Sequence, residues 1–168
     1  MDEGSLMVMD GSILDMMDVY DEQLAKMGAS ILKTRVSYCE KLTERAKDIY
    51  EGMSGGRETF GAGYMSTVLP EGQAADPSMS TAEWAQLLYD RLCENRSADC
   101  EHGMTSVGPH RDDVEVTLDS LPVRSFGSQG QQRSCILSLK LGEAKLLGEA
   151  MKEPPLILLD DVMSELDS

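Results

Sequence analysis

From Ile13 to Met53 the apolar residues recur in steps of four and three, at Ile13, Met17, Tyr20, Leu24, Met27, Ile31, Tyr38, Leu42, Ala46, Ile49 and Met53, with only Thr34 out of step. Such a repeat lines one stripe of an α-helix. Ser12 followed by Asp15 resembles a capping box and Ser54-Gly55-Gly56 supplies a stop, so the spacing predicts a helix over about 12–54. At the usual rise per residue it is about 60 Å long, more than a compact domain of this size can cover. It therefore projects as an arm, packs against a partner helix, or more plainly lays its stripe on its own domain. Gly28 in its middle marks a bend or a close crossing.

Beyond the helix, Phe60, Ala62, Tyr64 and Val68 alternate weakly and suggest a strand within Thr59 to Val68, and Pro70 to Pro77 reads as a loop. Ser80 and Glu83 form a capping box ahead of Trp84, Leu87, Leu88, Arg91 and Leu92, predicting a second helix over about 80–95 whose apolar face suits the first. Val114, Val116 and Leu118 alternate, Asp119-Ser120 turns the chain, and Leu121 to Arg124 returns it as a hairpin. A third helix, about Gly130 to Ala150, is expected to bury Ile136, Leu137, Leu141, Ala144 and Leu147. After Pro154-Pro155, the run Leu156-Ile157-Leu158-Leu159 suits a central parallel strand buried on both faces. The expected fold is mixed α/β: a helical arm over 1–100 joined to a partial α/β core over 101–168.

Thirty acidic residues against fifteen basic ones give a net charge of -15, which opposes non-specific contact with a phosphate backbone. Arg124, Arg133, Lys140 and Lys145 make only the third helix locally basic. Cys39, Cys93, Cys100 and Cys135 form no Cys-x-x-Cys pair, and neither His102 nor His110 stands at ligand spacing from them, which argues against structural zinc. No apolar run approaches the roughly 20 residues that span a bilayer, and Met1-Asp2-Glu3-Gly4 lacks a basic leader. A cytoplasmic protein with free cysteines and no membrane contact is expected.

Two segments carry chemistry. Leu156 to Leu159 leads straight into Asp160-Asp161, and ligands of open α/β sheets gather at the carboxyl ends of strands. There one acid can hold Mg²⁺ and the next can polarise an attacking water, though such a strand can also simply end in a solvated loop. Ser125-Phe126-Gly127-Ser128-Gln129-Gly130-Gln131-Gln132-Arg133 is a polar, glycine-containing loop entering a helix. Its small residues and the helix dipole suit a phosphate, and a plain turn and cap explain it equally well.

Together, Ser128-Gln129-Gly130-Gln131-Gln132, the following helix and the Asp160-Asp161 strand resemble the signature loop and Walker B strand of ABC-type ATPases, in that class's order. Ser164-Glu165-Leu166-Asp167 looks like the D-loop. The wording is most similar to the RecF family of recombinational-repair ATPases. Asp21-Glu22-Gln23-Leu24-Ala25, Thr105 to Asp113, Phe126 to Arg133 and Leu158 to Asp167 all resemble stretches of that family, and the likeness covers most of 14–168.

The resemblance implies a weak ATPase that binds ATP and Mg²⁺ as an ATP-dependent homodimer, recognises gapped DNA and single-strand to double-strand junctions, and helps load a recombinase with RecO and RecR. In that picture Ser128, Gln129, Gly130 and Gln131 face the ATP of the opposite subunit. Asp160 holds Mg²⁺ through water, Asp161 is catalytic, and Asp167 lies in the D-loop at the dimer interface. No Gly-x-x-x-x-Gly-Lys-Ser/Thr occurs, so the chain is expected to match the C-terminal part of the family and not to hydrolyse ATP alone. His110 and Arg111 could touch nucleotide or DNA, but Asp112 and Asp113 beside them point rather to an internal ionic network. Two alternatives stand beside this reading: a non-catalytic helical dimerisation or protein-interaction module, and a piece of a related chromosome-maintenance ATPase.

Overall fold

Two apolar clusters lie side by side along one 44-residue helix, α1 (Gly11–Ser54). The structure is a computed structural model that describes residues 11–159, with side chains from residue 15 onward. After α1 come β1 (Phe60–Met65), α2 (Thr81–His102), β2 (Asp113–Leu118), β3 (Leu121–Pro122), α3 (Val123–Phe126) and α4 (Gln129–Met151). The strands form one antiparallel sheet of order β1-β2-β3, with Phe60 opposite Leu118 and Tyr64 opposite Val114. The fold is thus the mixed helix-and-sheet type expected.

The first cluster joins Ala25, Ala29, Leu32, Val36 and Cys39 of α1 to Trp84, Leu88 and Leu92 of α2, closed by Tyr64, Val68, Leu69 and Val107. Removing Trp84 and Leu88 from water contributes roughly 1.5–3 kcal/mol each, both being almost fully buried. The second cluster joins Ala46 and Tyr50 of α1 to Phe60, Leu118, Val123 and Cys135. Helix α1 is therefore the shared spine, partnered by α2 along one stretch and by α4 along another.

Over residues 20–39 the phase of α1 differs from the expected one, whereas Ala46 of the predicted stripe is buried as expected. Its packed line is Asp21, Ala25, Gly28-Ala29, Leu32, Val36 and Cys39, while Tyr20, Leu24, Met27, Ile31 and Tyr38 of the predicted stripe are exposed. Gly28 accounts for the choice. A Cβ there would stand 2.5 Å from Leu88 Cδ2, so α2 can come this close only over the small residues. Gly28 marks a close crossing, one of the two roles anticipated. Its backbone is helical from Gly11, which puts Ser12 inside α1; the side chains of residues 11–14 lie outside the described ones.

Helix α4 repeats this lesson. Its buried residues are Cys135, Ser138 and Gly142, whereas Ile136 and Leu147, expected inside, are exposed. A Cβ on Gly142 would lie 3.2 Å from the Ala46 backbone nitrogen, so α4 meets α1 backbone to backbone. Arg45 clasps Glu149 across the same contact with two hydrogen bonds of 3.0 and 3.2 Å.

Other boundaries shift for local reasons. Helix α2 has the Ser80–Glu83 capping box that was predicted but runs on to His102, because no breaker occurs before Gly103, which ends it at φ 67°. The hairpin turns at Asp119 and Ser120 as expected, both at positive φ. Its return strand is only Leu121–Pro122, since proline offers the ladder no N–H, and Val123–Phe126 coils into a helical turn. Leu156 to Leu159 is not the buried strand foreseen. It joins no sheet among the described residues, and Leu156 and Leu158 are 88% and 87% exposed.

Candidate functional site at the start of helix α4

The serine loop enters α4 through a complete capping box. Ser128 is the N-cap, its side chain accepts from Gln131 N at 3.2 Å, and Gln131 Oε1 accepts from Ser128 N at 2.7 Å. This satisfies the N3 amide and leaves the N–H groups of Gln129 and Gly130, at N1 and N2, without a carbonyl in a preceding turn. No acidic residue of α4 itself lies in its first turn. Ser128, Gln129 and Gly130 are exposed, and nothing lies within 4 Å of where a Cβ on Gly130 would be. Donor set and space both fit an approaching phosphate oxygen.

Below the loop, Gln132 Nε2 donates to the Val123 and Gly127 carbonyls at 3.3 and 3.1 Å, stitching the turn α3 to α4. A Cβ on Gly127 would sit 2.7 Å from the Val123 carbonyl oxygen, so only glycine lets the chain fold back here. Gln131 Nε2 reaches Glu58 Oε1 at 2.5 Å. Nothing local in the sequence connects those two residues, 73 positions apart; only the meeting of α4 with the end of α1 does.

Asp160, Asp161 and Asp167, expected to hold Mg²⁺, act in catalysis and form the D-loop, lie outside the described residues. Among the described residues, no group of three or more His, Cys, Asp or Glu side chains could hold a metal ion. No helix there is long and apolar enough to cross a membrane.

The Thr105 to Asp113 segment is tied down internally, but not by the network of Arg111 with Asp112 or Asp113 that was expected. Asp112 instead accepts from the Tyr64 hydroxyl at 2.8 Å, Ser66 Oγ at 3.0 Å, Thr67 N at 2.8 Å and Thr67 Oγ1 at 2.9 Å. Arg111 turns to the Thr105 carbonyl and Met104 Sδ, and His110 lies against the same Thr105 carbonyl. Arg35 of α1 donates to the Pro109 carbonyl, pinning the segment on the spine. The Asp21 stretch is likewise structural: Asp21, 8% exposed, receives Arg96 Nη2 of α2 at 2.6 Å.

No family model matches the chain. It is 37% identical to the DNA replication and repair protein RecF of Clostridium acetobutylicum over 99% of its own length. With RecF of Clostridium perfringens it shares 39% over 91%, and with RecF of Clostridium botulinum 40% over 93%. It superposes on the recombination mediator protein RecF-ATP of the RecFOR pathway with TM-score 0.79 and 34% identity, over 92% of this chain. The chain belongs to the RecF family. RecF in its ATPrS form gives TM-score 0.80 and 35% identity over 91% of this chain. The chain spans less than half of these RecF proteins, 44% of the first and 39% of each solved structure. Two of the RecF-like segments found in the sequence, Asp21 to Ala25 and Thr105 to Asp113, are where α1, α2 and β1 are fastened together.

Proposed function

We propose that this chain supplies the signature-loop side of a RecF-type ATP site in DNA repair. The observation that carries the reading is the exposed N-terminus of α4, with Ser128 fixed by its capping box and open space over Gly130. Ser128, Gln129 and Gly130 are the groups this chain presents to the γ-phosphate of ATP held by an opposite subunit, with Gln131 holding the cap behind them, so association depends on ATP. Asp160 and Asp161 serve Mg²⁺ and the attacking water of the chain's own subunit, and Asp167 lies at the dimer contact. Gapped or junction DNA, RecO and RecR are the partners of the whole protein, whose place is the cytoplasm.

The 168 residues alone do not turn over ATP, because no loop here wraps the β-phosphate. Nor do they bind DNA tightly: the net charge is -15, Lys140 is paired with Glu143 at 3.2 Å, and Arg124 lies 4.0 Å from Asp113. The deciding test mixes this chain with Clostridium acetobutylicum RecF and measures mass by light scattering with and without Mg-ATP. Association that requires ATP and is lost in Ser128→Arg supports the proposal. Indifference to ATP, or to that substitution, refutes it.

A further inference from the structure

Glu58 stands in the link between α1 and β1, half-buried, with both carboxylate oxygens engaged. Oε2 accepts from the Tyr50 hydroxyl at 2.5 Å and Oε1 from Gln131 Nε2 at 2.5 Å. Tyr50 is 2% exposed in the last part of α1. Gln131 in turn gives its Oε1 to the Ser128 N–H at 2.7 Å. Four groups thus run unbroken from the long helix to the N-cap of α4.

The chemistry gives this relay a direction. Both Glu58 carboxyl oxygens serve as acceptors, so Gln131 turns its NH₂ toward α1 and therefore its oxygen toward Ser128. Burial, and then the bond to Glu58, push the Tyr50 hydroxyl above its ordinary range, so it stays a donor at neutral pH. Below the relay, α4 and α1 touch backbone to backbone at Gly142 and Ala46, so the two helices move as a pair. We propose that Glu58 is the positioning residue of the Ser128 loop, transmitting the placement of the long helix to the group that faces phosphate. This rests on the phosphate-facing reading of the loop, and the tests separate the two.

A tie that is merely structural differs from a relay in one respect: Tyr50, which does not touch the loop, must be felt at Ser128 only through Glu58. Amide hydrogen exchange by NMR on the 168-residue chain reads this directly. Glu58→Ala is expected to speed exchange at Ser128 about five- to tenfold, as loss of a cap does, with Leu88 and Gly142 unchanged. Tyr50→Phe gives a smaller rise and adds nothing in the Glu58→Ala background, the signature of coupled sites. Glu58→Gln, which keeps an acceptor for Gln131, stays near the parent value.

Unchanged exchange at Ser128 in Glu58→Ala, or full additivity with Tyr50→Phe, overturns the relay. ATP-dependent association with Clostridium acetobutylicum RecF is the second readout, expected to weaken about tenfold in Glu58→Ala and to be restored in Glu58→Gln. If exchange responds but association does not, Glu58 is structural only and the proposal fails. If the parent chain never associates, the phosphate-facing reading fails while the exchange data still decide the relay.

Discussion

The backbone of Gly28 and the side chain of Leu88 leave no room for a single carbon between α1 and α2, since a Cβ on Gly28 would stand 2.5 Å from Leu88 Cδ2. Leu88 is 2% exposed, so it cannot swing aside. Gly28→Ala should therefore destabilise by about 1–2 kcal/mol despite alanine's better helix propensity. Gly52 on the same helix has nothing within 4 Å, and Gly52→Ala should stabilise by about 0.5–1 kcal/mol. Urea melts of the two variants must move in opposite directions.

This contact also explains where the sequence misleads. Periodicity gives a helix its repeat but not its phase: Tyr20-Leu24-Met27-Ile31 and Asp21-Ala25-Gly28-Leu32 both follow a helical spacing, and the larger residues look like the core. Close crossing selects the smaller set instead, at Gly28 against Leu88 and again at Gly142 against Ala46. Capping boxes were legible because they are local: Ser80 with Glu83 and Ser128 with Gln131 stand where the spacing puts them. Glu58, Arg96 and Asp112 were not, because the contacts that define them, with Gln131, Asp21 and Thr67, span 45 or more positions. The Leu156 to Leu159 run fails as a strand for the same reason: apolar content signals burial only if something supplies the second surface.

Arg96 and Asp21 form the least exposed ion pair among those described, with side chains 18% and 12% exposed and Asp18 joining at 2.7 Å. Removing the cation leaves a nearly buried carboxylate, so Arg96→Ala should cost about 2–3 kcal/mol, mostly as desolvation of Asp21. The discriminating measurement is the double variant Arg96→Met with Asp21→Leu. It should recover most of that loss, and a loss that persists would mean the pair itself supplies net attraction.

Asp112 gathers four donors from Tyr64, Ser66 and Thr67. Asp112→Ala strands those donors and should cost about 2–3 kcal/mol in a thermal melt. Arg111→Ala, touching only an exposed carbonyl and a thioether, should stay within about 0.5 kcal/mol. A large effect at Arg111 with none at Asp112 would reverse the reading of this segment.

Alkaline unfolding follows from two groups shifted in one direction. Burial pushes the Cys135 thiol from 9.0 to about 11 and the Tyr64 hydroxyl from 10.0 to about 12. Both hold their protons more tightly folded than unfolded, so their contribution is complete below the unfolded values and is lost as pH rises through the folded ones. The urea midpoint should be flat from neutrality to about pH 9 and then fall through about pH 12. Tyr64→Phe should make the upper part of that fall shallower. An unchanged slope would place the titration elsewhere.

The thiols give an independent check on the same core. Cys39 and Cys135 are 6% and 2% exposed, Cys93 is intermediate and Cys100 is exposed, all four being free. Thiolate is the reactive species, and burial raises the pKa of both Cys39 and Cys135, so they are doubly protected. Alkylation of the native chain should modify Cys100 first, leaving Cys39 and Cys135 intact until the fold opens. Cys135 sits under Phe60, Leu118 and Val123, whereas Cys39 belongs to the α1–α2 cluster. Their rates of labelling in rising urea therefore show whether the two clusters on α1 open together. A shared spine requires equal midpoints, and Cys135 labelling well before Cys39 would mean that α4 and the sheet detach while α1 and α2 remain paired.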